Sequence, residues 1–178
     1  MNERGAFMNI RGVLLAAAVV VSCALTTGRA QAQSIFLEIP GVPGEVVTPA
    51  TFVNQISVLA LSWGGSKFCT SPLNVQDLSF TKYTDKASMP LLAALRDHTV
   101  YPTITFRFLS SGGVVYQSYQ LTNAVLSSMS VGGSAADLRT TENVSLSFSQ
   151  VLATYTFIDP NGKPGASFST TVVSSACP

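Results

Sequence analysis

Along most of this chain, apolar and polar residues alternate with a period of two, the period of a half-buried strand. In residues 103–108, Ile104, Phe106 and Phe108 fall on one face and Thr103, Thr105 and Arg107 on the other. In residues 74–86, Leu78 and Phe80 share a face opposite Asp77, Ser79 and Thr81. Residues 35–39 predict a short apolar opening strand. Residues 114–126 predict a strand long enough to need a bend, and residues 166–173 a closing strand. Within residues 143–157 the phase changes: Val144, Leu146 and Phe148 are apolar at even positions, Val151, Ala153, Tyr155 and Phe157 at odd ones. That slip near Ser149-Gln150 predicts a bulge or a change of sheet. Residues 56–63 are apolar on both faces, with Ile56, Val58 and Ala60 on one and Leu59, Leu61 and Trp63 on the other. Such a strand is expected to be covered twice, by its own core and by a helix, a loop or another subunit. Ile56, Val58, Ala60 and Trp63 are accordingly the candidate subunit-interface residues.

Turn signals separate these runs: Pro40-Gly41, Pro43-Gly44, Gly64-Gly65-Ser66, Ser111-Gly112-Gly113, Gly132-Gly133-Ser134 and Asp159-Pro160-Asn161-Gly162. Helical character is confined to residues 91–96, with Ser88 as a plausible N-cap and Pro90 in the first turn. Six to eight strands with tight turns and one short helix read as a mainly β sandwich or small closed barrel.

The chain is 47% hydrophobic and only 11% charged, which suits one folded domain and excludes disorder. The N-terminus has the three parts of an export signal: Arg4 and Arg11, an apolar stretch over residues 13–21, and Ala30-Gln31-Ala32 as a small-x-small cleavage site. The apolar stretch is shorter than the roughly 20 residues a membrane-spanning helix needs. Cleavage after Ala32 is expected, leaving residues 33–178 as the domain, without a membrane span, in the periplasm or outside the cell. A loose lipobox ending at Cys23 and an uncleaved anchor are the alternatives. Losing residues 1–32 removes Arg4, Arg11, Arg29 and Glu3, so 10 cations and 9 anions become 7 and 8. No basic excess remains to bind nucleic acid or an anionic membrane.

Cys69 and Cys177 are then the remaining cysteines, and in an oxidising compartment such a pair is expected to form a disulfide. Two independent thiols are the alternative; a metal site is disfavoured because neither cysteine has ligands at metal spacing. The sequence offers no catalytic set and calls for no cofactor. His98, the sole histidine, reads as a cation at the helix C-terminus. Asp77 and Asp85 read as ion-pair or capping residues, and no serine sits in a G-x-S-x-G elbow. Asn143-Val144-Ser145 matches a glycosylation pattern by chance. Trp63, before a glycine pair, reads as a core or interface aromatic rather than a ligand platform.

Several blocks in order resemble the haemolysin-coregulated (Hcp) proteins of type VI secretion. They are the opening strand with Gly41 and Gly44, Leu59-Ala60-Leu61-Ser62-Trp63-Gly64, residues 74–86, Tyr101-Pro102, Val125-Leu126-Ser127-Ser128 to Gly132-Gly133-Ser134, and residues 141–148. The resemblance covers roughly residues 35–158. It implies a compact β-barrel of two packed antiparallel sheets with one helix at its side, no enzymatic activity, and a homo-oligomeric, hexameric ring. It also implies secretion-system components or an effector cargo as partners. Two features depart from the family: the export signal, and a short, cysteine-bearing loop after Trp63-Gly64 where rings stack. A monomeric binding module on the same barrel is the alternative to an exported ring.

Overall fold

The computed structural model describes residues 33–174, so Cys23, the Ala32 cleavage site and Cys177 lie outside the described residues. The elements in chain order are β1 (Ser34–Glu38), a 3-10 turn (Ala50–Phe52), β2 (Ile56–Val58), β3 (Ala60–Ser62), β4 (Gly65–Ser66), β5 (Asn74–Val75), β6 (Leu78–Tyr83), α1 (Ser88–Arg96), β7 (Tyr101–Leu109), β8 (Val115–Gly132), β9 (Thr141–Ser147), β10 (Gln150–Ile158) and β11 (Pro164–Val173). β4 and β5 form a small separate hairpin.

Two antiparallel layers pack face to face and share β8. Its first half pairs with β10 up to Thr122 and with β7 up to Ala124; its second half, from Val125, pairs with β9. Asn123 lies between them at φ 48°, a left-handed conformation that bends the strand as its length requires. One layer therefore runs β2-β1-β7-β8-β10-β11 and the other β8-β9-β6-β3. Leu37, Phe106, Leu121 and Val151 project from the first layer against Leu78, Phe80, Val144 and Leu146 from the second, all buried. Phe80 meets Phe106 edge-on at 5.5 Å across the interface. Removing a ring of this kind from a closed core costs about 3–5 kcal/mol.

The phase slip at Ser149 is a change of layer: β9 lies in the second layer and β10 in the first. Ser149 pins the crossing by donating its N–H and its hydroxyl to the Thr122 carbonyl, each at 3.0 Å.

Residues 56–63 differ from the expectation of one strand covered on both faces. The chain bends at Leu59, so β2 pairs with β1 while β3 pairs with β6. Before the bend even-numbered side chains face the core; after it, Leu61 and Trp63 do. A change of layer reverses which parity is buried, and that accounts for the apolar residues on both faces. The hydrogen-bonded order starts at β2 and ends at β3: the compact β fold of two packed antiparallel sheets with one helix that the resemblance implied is present, its sheets not closed into a barrel.

Gly44 is fixed by close approach: a Cβ there would stand 2.1 Å from the Gln55 carbonyl oxygen. The Gly44 N–H instead donates to the Asn54 carbonyl at 2.6 Å, tying the first loop to the one before β2.

α1 buries Leu91 and Ala94 and leaves Met89 and Leu92 exposed. Ala87, rather than Ser88, is its N-cap, because the Ser88 side chain is engaged elsewhere. At the other end His98 adopts φ 51°, and the N–H groups of His98 and Thr99 reach back to the carbonyls of Leu95 and Ala94. These two bonds close a Schellman motif with histidine where glycine is favoured. No helix among the described residues is long and apolar enough to cross a membrane.

Candidate subunit interface

The four candidate interface residues do not share a surface. Ile56 and Val58 point into the chain's own core at 0% and 6% exposure, so neither is available to a partner in the folded chain. Ala60 is exposed on β3, opposite Thr81. Trp63 stands half-buried at the end of the sandwich, its ring 5.6 Å from Tyr119 and 6.4 Å from Phe148.

Beyond Trp63 the second layer stops while the first continues. The register Phe106–Tyr119–Ala153–Thr170 is followed by Phe108–Gln117–Tyr155–Phe168. Alternation places all of these on the core-facing side. No described residue covers the outer part: Tyr155, Phe157 and Phe168 are exposed by 48%, 49% and 65%. The hairpin of β10 and β11 thus projects an aromatic ledge past its own core. Its other face carries hydroxyl pairs, Thr154 with Ser169 at 2.9 Å and Thr156 with Ser167 at 2.8 Å. A cavity of about 280 Å³ opens between Trp63 and the ledge, lined by Tyr119, Tyr155 and Phe168. The Trp63 Nε1–H, buried at this junction, has no acceptor among the described residues. Burial pushes the Tyr119 phenol pKa up, and its hydroxyl oxygen accepts a hydrogen bond from Gln117 Nε2.

At the opposite end of β8 a charged cluster is enclosed. The Lys82 ammonium is buried between Asp85 Oδ1 and Glu142 Oε2, both at 2.7 Å. It also donates to Ser88 Oγ at 3.0 Å and to the Tyr83 carbonyl at 2.9 Å. Ser88 donates its hydroxyl to Glu142 at 2.9 Å and accepts the Asp85 N–H at 3.0 Å. This network joins β6, the start of α1 and β9. Deleting one member of such a buried set costs about 3–5 kcal/mol, because the remaining charge stays uncompensated.

Sequence reasoning missed Lys82 and Glu142 and read Ser88 as a helix cap, though a signal for the ion pair existed. Lys82 continues the buried parity of Leu78 and Phe80, and Glu142 begins that of Val144, Leu146 and Phe148. Opposite charges at the buried positions of two strands are an ion-pair pattern. Asp85, read as an ion-pair or capping residue, does both: it pairs with Lys82 and accepts the Ala87 N–H at 2.9 Å. Asp77 precedes β6 and accepts from the Ser127 hydroxyl. Asn143 accepts from Thr81 Oγ1 at 2.7 Å across the sheet. Cys69 is exposed at φ 49°, with no disulfide partner among the described residues. No group of three or more His, Cys, Asp or Glu among the described residues could hold a metal ion.

The sequence pattern of the family described as "Type VI secretion system effector, Hcp" matches residues 36–155. Protein hcp1 of Pseudomonas aeruginosa is 38% identical over 136 residues, spanning 70% of this chain and 83% of its own length. Hcp1 from Salmonella typhimurium superposes with a TM-score of 0.70 at 26% identity, covering 80% of this chain and 95% of that one. A structure described as a type six secretion system protein gives a TM-score of 0.73 at 24% identity, covering 77% and 92% of the two chains, a likeness of fold.

Proposed function

The chain belongs to the Hcp family of type VI secretion proteins, and from that premise we propose that its mature copies assemble into a hexameric ring outside the cytoplasm. There the ring serves as a non-catalytic structural or carrier module, with an effector or another secretion component as its partner. The aromatic ledge carries this reading. A monomer leaves Tyr155, Phe157 and Phe168 on one exposed sheet face, and contiguous apolar surface of that kind marks a protein contact. Light scattering of residues 33–178 tests it: a mass near six chains is expected, and a monomer at high concentration overturns it. The export signal predicts a mature N-terminus at Gln33, readable by mass spectrometry. The expected Cys69–Cys177 bond predicts a mass two hydrogens below the reduced chain, and two alkylatable thiols in unreduced protein would exclude it.

A second reading, a monomeric periplasmic or surface binding module, draws on another observation. A cavity of about 600 Å³ lies between residues 39–43 and 51–55. Gln55 lines it and has its Oε1 buried without a donor among the described residues, and the Arg107–Glu38 ion pair stands at its rim. A monomeric mass together with ligand-dependent stabilisation would favour this module over the ring.

A further inference from the structure

A closed ring is built head to tail, so each copy must present two different surfaces that fit each other. Resting on the ring reading, the question becomes which second surface receives the ledge. Among the described residues, apolar surface next to an open strand edge also lies at the far end of β8. Gln117 pairs with Tyr155 at the ledge, whereas Gly132 pairs with Thr141 at the other end. The backbone between Gln117 and Gly132 spans up to about 50 Å at about 3.3 Å per residue.

At that far end two adjoining hollows of about 570 and 460 Å³ share Tyr83 and Arg139. Leu138, Leu59 and Val47 line them and are 102%, 45% and 74% exposed. The Arg139 guanidinium stands over the Tyr83 ring at 5.8 Å, and Glu45 accepts the Lys86 N–H at 3.1 Å on one oxygen while the other lies 3.9 Å from Arg139, long for an ion pair. The ledge ends at Lys163, whose ammonium has no ion-pair partner among the described residues. A cation at the tip thus matches a carboxylate at the groove. Each surface also carries an unpaired strand edge: β11 pairs with β10 alone, and β3 with β6 alone. Three aromatics of roughly 150–250 Å² each, about half exposed, leave on the order of 300 Å² of apolar surface, enough for the centre of an interface. Packing ledge on ledge would make a two-fold dimer and leave the groove open; packing ledge on groove covers both and repeats.

We propose that the Tyr155–Phe157–Phe168 ledge of one copy seats in the Leu59–Tyr83–Leu138 groove of the next, with Lys163 directed to Glu45. The test mixes two variants of mature chain. Phe157→Ser with Phe168→Ser disables the ledge; Tyr83→Ser with Leu138→Ser disables the groove. Should the groove variant lose its fold by circular dichroism, Leu138→Ser alone replaces it, since that side chain is fully exposed. Each variant alone is expected to need at least about tenfold more protein to assemble. An equimolar mixture is expected to sediment as a dimer and no larger, because one intact ledge and one intact groove remain. Wild-type rings with a mixture that stays monomeric across concentrations well above wild-type assembly would overturn the ledge–groove pairing and leave the ring reading standing. Rings formed by either variant at the wild-type concentration would overturn it too. A monomeric wild type removes the ring reading itself.

Discussion

The two ends of β8 solve opposite problems. Near Val131, whose partner across the ladder is Glu142, a lysine and two carboxylates are enclosed and supply one another's hydrogen bonds. Near Gln117 three aromatics stand in the open, on a sheet face that its own second layer does not reach. Charge is expensive to bury, so the chain encloses it only where partners from β6, α1 and β9 converge. Apolar surface is expensive to leave in water, so an uncovered sheet face marks a surface meant for something else. The first end fixes how the layers and the helix sit; the second leaves aromatic surface exposed.

The largest expected effect lies at the enclosed end. Lys82→Met leaves Glu142 and Asp85 without their shared cation and is expected to lower unfolding free energy by about 3–5 kcal/mol in urea titrations. A loss under about 1 kcal/mol would erase the contrast between the two ends. At Gly44, whose Cβ has no room, Gly44→Ala is expected to cost about 1–3 kcal/mol through the forced shift of the Gln55 backbone. His98→Gly should act oppositely, raising stability by about 0.5–1 kcal/mol, because glycine holds φ 51° without steric cost. At the open end, Phe168→Ser is expected to change unfolding of the isolated monomer by less than about 0.5 kcal/mol while weakening assembly. A large fall in monomer stability would mean the ledge belongs to the core after all. The smallest effect concerns Arg96 and Asp97, an ion pair of the same chemistry as the enclosed one but in solvent. The Arg96 hydrogen bond holds the Asp97 carboxyl below the usual aspartate range. Its contribution is therefore present above that range and lost as pH falls through the lower folded value. Thermal midpoints of wild type and Asp97→Asn should differ little at neutral pH and converge on acidification.

Much of the architecture was legible because strand periodicity is local. The alternation in residues 103–108 became β7, the slip at Ser149-Gln150 became the move from β9 to β10, and the length of β8 demanded the bend found at Asn123. Residues 56–63 were misread because apolar side chains on both faces describe a doubly covered strand and a strand that changes layer equally well. The bend at Leu59 decides between them, and no turn residue announces it. Of the four candidate interface residues, Ile56 and Val58 are core while Ala60 and Trp63 keep exposed surface, and the ledge lies nearly a hundred residues further on. Tyr155 and Phe157 have the same alternation as buried residues, so period alone cannot tell which of them a second layer will cover.

The chain by itself determined most of the strands, the turns and the short helix near residues 88–96, since each depends on neighbours within a few positions. Tertiary structure alone decided that Lys82, Ser88 and Glu142 meet, because their contacts join positions up to about sixty residues apart. It also decided where the second layer ends, and so which aromatics remain for a partner. Burial is a property of the space between elements, and that space exists only once the layers have packed.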